Sequence, residues 1–326
     1  MRLEISIKII ILNKNEKIMN KKILLSIPLM CLAGLVSCND SNKKEDGNGT
    51  VVENHDKPKR KYDKAQDFTY TNWNLKDNDS VKKTFKQKFT AQELATIVAL
   101  NRVDKNTFHT VDVLTIPDKF DDDFMAYSPF PFTVKSANKI NKLVVFSYPI
   151  QAYGVYENGE LVKWGPTSMG SKQHKTPEGL YFTNWKGEEV QSTFDDEWIL
   201  RWNFNVQNEE GIGWHQYSLP GYPASHSCLR LLESDAKWLY DWADEWILAD
   251  KENVEAKGTP VIVYGAYNFD GEKPWLQLAA NNKANDIATE TLDGLIKKYE
   301  QEILKEQENR AKVVANKPQK QKETKS

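Results

Sequence analysis

The chain has 326 residues, of which 40% are hydrophobic, 28% charged and 11% aromatic. That is a globular composition with room for one sizeable domain and accessories. A formal net charge of −2 lacks the basic excess of a general nucleic-acid binder, so nucleic acid is excluded as a partner class. Ten tryptophans predict a substantial core and an aromatic-lined surface.

In chain order, residues 1–18 read as an upstream extension and Met19 as the start. "MNKKILLSIPLMCLAGLVSCND" then places Lys21 and Lys22 ahead of an apolar run from Ile23 to Val36. The run is too short for a membrane span and fits a secretory signal, so residues 1–37 are expected to be removed. It ends in "LVSC", which resembles the bacterial lipobox. The resemblance implies cleavage before Cys38, lipidation of its thiol, and a protein lipid-anchored to the cell envelope, at the outer membrane facing the periplasm. The alternative is a plain signal peptide with an incidental cysteine. With Cys31 removed and Cys38 lipidated, Cys228 is the single remaining thiol and no intramolecular disulfide can form. Residues 38–66 are polar and charged and read as a flexible tether.

Residues 67–138 are expected to form a small α+β subdomain. At 89–118, Thr90 and Glu93 make a capping-box pattern, and Leu94, Ile97, Val98 and Asn101 follow helical spacing. With the strand-like "VDVLTIP" beyond, this stretch resembles a LysM module, which implies glycan binding; a packing subdomain without a ligand is the alternative. The helix pair of such a module is not visible in the sequence. Residues 139–280 are predicted to be mostly β. A hairpin turns at Asn158-Gly159, and strands run at Gly179–Thr183, Trp198–Val206 and Thr259–Tyr264. A helix at about Glu233–Leu248 carries Trp238, Trp242 and Trp246 at four-residue spacing, a pattern that predicts a core face. Within 281–326, an amphipathic helix through Ile287, Leu292, Leu295, Tyr299 and Ile303 precedes a basic, solvated tail.

Cys228 lies in "PASHSCLRLL", after His215 and His226 and two residues before Arg230. Three roles compete for it. A buried structural thiol would sit more naturally among aliphatics. A metal site would need a fourth ligand beyond His215, His226 and Cys228, and there is no Cys-x-x-Cys or His-x-x-x-His pair. As a nucleophile, the thiol needs a base, which His215 could supply, and a cation, which Arg230 adds, to reach the thiolate state. The backbone N–H groups around Ser227 and Cys228 would then line an oxyanion hole. Papain-like enzymes place the histidine after the cysteine, and none follows Cys228. Sortases close a strand with "TLxTC", which is absent.

The segment from about 141 to 265 resembles the YkuD-type L,D-transpeptidase domain. The resemblance rests on His215 followed by Ser225-His226-Ser227-Cys228-Leu229-Arg230, together with "ENGELV" at 157–162, "SMG" at 168–170, "TPEG" at 176–179 and "GTPVIVY" at 258–264. It implies a mainly β fold with α, a mixed β-sandwich of that type beside the N-terminal subdomain and C-terminal helix. Cys228 matches the nucleophile, His215 the general base, His226 a supporting histidine, and Arg230 a residue that orients substrate or site. The backbone carbonyl of Gln216 matches the acceptor that orients the imidazole. Trp214 and Tyr217 are candidates for lining a substrate groove. Ser227 departs from the family's usual glycine. The implied function is transfer of a peptidoglycan stem peptide to an amine acceptor, with water as the acceptor or a silent wall-binding lipoprotein as alternatives. The implied partners are stem peptides, glycan, and the membrane through Cys38. No metal or organic cofactor is expected.

Overall fold

The computed structural model describes residues 61–76, 79–192 and 199–316. The signal, Cys31, Cys38 and most of the tether lie outside the described residues. The tether's last residues depart from expectation. Lys61 pairs with Asp121 and Asp122, the Tyr62 hydroxyl donates to Asp121 at 2.6 Å, and the Gln66 N–H donates to the Ala126 carbonyl at 2.9 Å. Their polar composition hid this, because the partners lie some sixty residues on.

The N-terminal subdomain is built from β1 (Tyr70–Asn74), α1 (Asp79–Thr84), α2 (Ala91–Leu100) and β2 (Val113–Pro117). A second helix, not visible in the sequence, therefore precedes α2. The capping box is formed. The Thr90 hydroxyl accepts from the Glu93 N–H at 3.2 Å, and the Glu93 carboxylate accepts from the Thr90 N–H at 2.8 Å. Strands β1 and β2 pair antiparallel, Tyr70 opposite Pro117 through Asn74 opposite Val113. Buried Asn101 ends α2 and ties it to β2, donating to Ile97 and Thr115 carbonyls and accepting from the Thr115 N–H. Phe85, Ile97, Val103, Phe108 and Leu114 fill a core of their own beneath it.

The following strands are β3 (Leu143–Ser147), β4 (Ala152–Glu157), β5 (Glu160–Ser168), β6 (Gly179–Phe182), β7 (Lys186–Gln191), β8 (Ile199–Gln207), β9 (Ile212–Gln216) and β10 (Leu229–Leu231). Helix α3 (Glu233–Trp242) and a ribbon of β11 (Ile247–Leu248) and β12 (Val254–Ala256) come next, then β13 (Pro260–Tyr264) and α4 (Thr289–Asn316). Nine strands form one mixed sheet in the order β6-β13-β3-β4-β5-β10-β9-β8-β7. Asn158 and Gly159 both take positive φ in the β4–β5 turn, as a tight hairpin requires. Strand alternation sends Leu143 and Val145 into one core and Val144 and Phe146 into another, so both faces are buried. The sheet curls on itself. After β6, the Asn184 N–H donates to the Asn205 carbonyl at 2.8 Å, and the Asn205 N–H donates back to Trp185 at 2.9 Å. The sandwich expected from sequence is thus one continuous curled sheet, and the fold is mainly β with α.

One helix differs from expectation. α3 stops at Trp242, and Trp246 lies beyond it. Its buried face is Asp235, Ala236 and Leu239, while half-buried Trp238 and Trp242 stack on each other at 5.5 Å under Lys163 and Lys142. Helix α4 packs on the domain through fully buried Leu292, Ile296 and Ile303. Asp293 accepts the Ser136 N–H, and Arg310 caps the Glu245 and Lys257 carbonyls.

Candidate active site

Strands β9 and β10 run parallel, with Leu229 opposite Trp214, Arg230 opposite His215 and Leu231 opposite Gln216. Parallel neighbours need a crossover of a dozen or more residues. The segment 217–228, with Pro220, Gly221 and Pro223, is near that minimum. Alternation then sorts the side chains. Trp214, Leu229 and Leu231 are fully buried in the core that holds Phe146 and Phe204. His215 and Arg230 fall on the other face, as does Cys228, one step before β10. Trp214 therefore cannot line a groove. It fills the core, and its indole N–H finds no partner among the described residues.

His215 is only 3% exposed. Its Nδ1 lies 3.0 Å from the Gln216 carbonyl. A carbonyl oxygen only accepts, so Nδ1 carries the proton and Nε2 keeps a free lone pair. Burial holds the His215 pKa down to about 4, and the Arg230 cation pushes the same way against the Gln216 contact. Burial also pushes the Cys228 thiol up, outweighing the Gly213 backbone amide and the Arg230 charge, which draw it down. The sulfur lies 3.8 Å from the Gly211 carbonyl. Both shifts favour the neutral forms, of the thiol and of the imidazole. Desolvation here works against the thiolate expected from sequence, and one guanidinium opposes it.

Arg230 is half-buried, with its guanidinium 4.5 Å above the Tyr217 ring, and Tyr217 meets the His215 ring edge-on at 5.9 Å. Thr167 Oγ1 donates to the Arg230 carbonyl at 2.8 Å. Cation, aromatic and imidazole therefore form one packed row.

The turn before Cys228 is held by a strap at 169–176. The Ser225 N–H donates to Met169, the Ser171 N–H donates to Ser225, and the Ser225 hydroxyl donates to the Cys228 carbonyl at 2.6 Å. Gly170 must be glycine, since a Cβ there would run into the backbone of His174 and Thr176. Ser227 sits at φ +74°, a conformation that disfavours a side chain. Its hydroxyl gains a partner in the Lys175 carbonyl at 3.2 Å. Its N–H donates to the His174 carbonyl at 3.1 Å, so it is not free to serve an oxyanion as expected. Exposed His226 stacks on His174, with ring centroids 4.2 Å apart. Thr176, the first residue of "TPEG", donates its hydroxyl to the Ser227 carbonyl at 2.8 Å. His174 was not singled out in the sequence; it sits between "SMG" and "TPEG", and the close spacing of those two motifs was the available signal. Among the described residues, no three His, Cys, Asp or Glu side chains converge as a metal site.

The depressed His215 pKa predicts a pH-dependent stability. The unfolded histidine titrates near 6.5 and the folded one near 4. Between these values the unfolded chain binds more protons, so stability falls as pH drops through that window. At 1.36 kcal/mol per pKa unit the loss is about 3 kcal/mol. Urea unfolding at pH 7 and pH 4.5 is expected to show it in the parent and to show a smaller loss in His215→Gln. An equal loss in both chains would assign the acid sensitivity elsewhere.

Residues 141–263 match the YkuD family, described as the L,D-transpeptidase catalytic domain. A curated relative, L,D-transpeptidase 2 of Mycobacterium tuberculosis, is 26% identical over 141 residues, covering 38% of this chain and 34% of its own length. This chain thus spans about a third of that relative. Among solved structures, an L,D-transpeptidase from Stackebrandtia nassauensis is 23% identical, covering 39% of this chain and 57% of that one at a TM-score of 0.32. Another, from Xylanimonas cellulosilytica, is 23% identical and covers 38% and 61% at 0.31. Over residues 141–263 this chain is thus similar to the L,D-transpeptidase catalytic domain of the YkuD family.

Proposed function

We propose that this chain is a peptidoglycan L,D-transpeptidase in which Cys228 is the nucleophile and His215 the general base. The observation that carries this reading is the placement of Cys228, His215 and Arg230 on one face at adjacent parallel strands, with His215 Nδ1 against the Gln216 carbonyl. As the Cys228 sulfur attacks the carbonyl between the diamino acid and the fourth-position D-alanine, its proton passes to Nε2. The C–N bond breaks and the D-alanine amine leaves with that proton. An acceptor amine then attacks the thioester, gives its proton to Nε2, and the C–S bond breaks. The returning sulfur recovers the proton, and a 3→3 cross-link is complete with no net consumption of nucleotide. Coupling proton transfer to attack suits a thiol held above its usual pKa. Arg230, stacked on Tyr217, is placed to attract a substrate carboxylate.

The test uses a carbapenem, whose strained β-lactam carbonyl adds its whole mass to a competent nucleophile. Intact-mass spectrometry of the parent is expected to show a one-to-one adduct. Digestion of sacculi incubated with the enzyme is expected to yield 3→3 dimers. Tripeptide stems without dimers would instead identify water as the acceptor, making the enzyme an L,D-carboxypeptidase.

We further propose that the chain is exported and anchored through lipid on Cys38, the cysteine ending "LVSC". Labelled palmitate supplied to expressing cells is expected in the parent and absent from Cys38→Ala. Equal labelling of both would exclude that anchor.

A further inference from the structure

Between β9 and Cys228 the chain leaves the sheet and crosses the N-terminal subdomain. It is met there by the turn that joins α2 to β2. Leu219, fully buried, donates its N–H to Asp104 Oδ2 at 2.9 Å. Its carbonyl accepts from Thr107 Oγ1 at 2.5 Å and from the Asp104 N–H at 3.2 Å. Two residues on, the Gly221 N–H donates to the Arg102 carbonyl at 2.8 Å, and Pro220 bridges to Val103. Gly221 has φ +80°, and a Cβ there would press on Val103 and Val111 at 3.0 and 3.2 Å.

The turn is itself immobilised. Asp104 Oδ1 accepts from the N–H groups of Asn106 and Thr107, which leaves Oδ2 for Leu219. Arg102 has φ +56° and is 1% exposed. Its Nε donates to the Ile150 carbonyl at 2.9 Å, its Nη1 donates to Leu100 at 2.5 Å, and its guanidinium lies 5.2 Å from the Trp275 ring. Ile150 belongs to the β3–β4 connection. There Gln151 accepts the Met169 N–H at 2.7 Å, at the head of the strap behind Cys228. On its far side the crossover is tied at once to the site. Ser168 Oγ donates to the Tyr222 carbonyl at 2.8 Å and accepts from the Ala224 N–H at 3.2 Å.

A helix-free crossover between parallel strands has no packing element of its own to fix its path. Here the bonds from Asp104, Thr107 and Arg102 supply that constraint midway between base and thiol. We infer that the α2–β2 turn is a clasp that sets Cys228 against His215, and that Asp104 and Thr107 are positioning residues for acyl transfer. The inference rests on the assignment of Cys228 and His215 as the reacting pair. It gives the N-terminal subdomain a role in the chemistry that does not depend on binding glycan.

The full chain is compared with Asp104→Ala, Thr107→Val and Thr107→Ser. Carbapenem acylation is followed by intact mass, and amide hydrogen exchange is read at Leu219 and Gly221. A displacement of about 1 Å can cost about 100-fold in rate, so Asp104→Ala and Thr107→Val are expected to acylate about 10- to 100-fold more slowly. Both variants should exchange Leu219 and Gly221 faster while the amides of β3 and β4 stay protected. Thr107→Ser, which keeps the hydroxyl, is expected to restore the rate. Parent-like acylation in Asp104→Ala and Thr107→Val would overturn the clasp while leaving the catalytic pair intact. So would a loss that serine fails to rescue and that tracks global exchange. A parent chain that takes no carbapenem would overturn the catalytic assignment, and the clasp's role with it.

Discussion

Cys228→Ser is expected to lose the carbapenem adduct completely and acyl transfer by at least about 1,000-fold, the scale on which nucleophile removal acts in acyl-transfer enzymes. Serine keeps the size and the turn, because the turn is held by Ser225, Ser227 and the strap rather than by the sulfur. The sulfur's own contact, 3.8 Å to the Gly211 carbonyl, is weak. The melting temperature should therefore stay close to the parent's while activity disappears. A hydroxyl is a far weaker acid than a thiol, so the same weak base draws its proton far less readily. An adduct persisting in Cys228→Ser at the parent's rate would refute the nucleophile assignment.

His215→Gln is expected to slow acylation by about 100- to 10,000-fold, the usual contribution of a positioned general base. The pH profile is more diagnostic than the rate. With His215 neutral above about pH 4 and the thiol raised above its ordinary range, alkylation of Cys228 by iodoacetamide should climb steadily through pH 7 to 10. It should show no plateau between pH 6 and 8. A preformed thiolate–imidazolium pair would give that plateau, and finding one would reverse the charge state assigned to the resting site. In His215→Gln the alkylation profile should keep its shape, since the histidine is uncharged over that range, while carbapenem acylation collapses. The contrast separates loss of proton transfer from loss of thiol reactivity.

Signals written within a few residues were legible in the chain. The Thr90–Glu93 capping box and the Asn158-Gly159 turn are set by neighbours three residues apart or fewer, and both stand as expected. The C-terminal helix was likewise legible from its apolar period, although whether it met this domain or another chain was not. Its burial of Leu292, Ile296 and Ile303 depends on residues some 150 positions away. The tryptophan stripe of α3 was right only in part, for the same reason: Trp238 and Trp242 pack at the edge of the core. A four-residue period describes a helix face, but the sheet chose the neighbouring face through Ala236 and Leu239, and the helix ended before Trp246. Trp214 beside His215 looked equally available, and strand register sent the two to opposite faces.

The sequence by itself singled out the candidate group. With Cys31 and Cys38 read as signal and lipid anchor, one thiol is left, with a histidine before it, an arginine after it and a family pattern around it. Only the tertiary structure decided the condition in which that sulfur waits. Charge state depends on how much water is excluded, and water is excluded by residues that lie far apart in the chain. The same is true of Asp104 and Leu219, which lie 115 positions apart in the chain and 2.9 Å apart in the fold. A motif records chemistry, whereas desolvation and positioning belong to the packed whole.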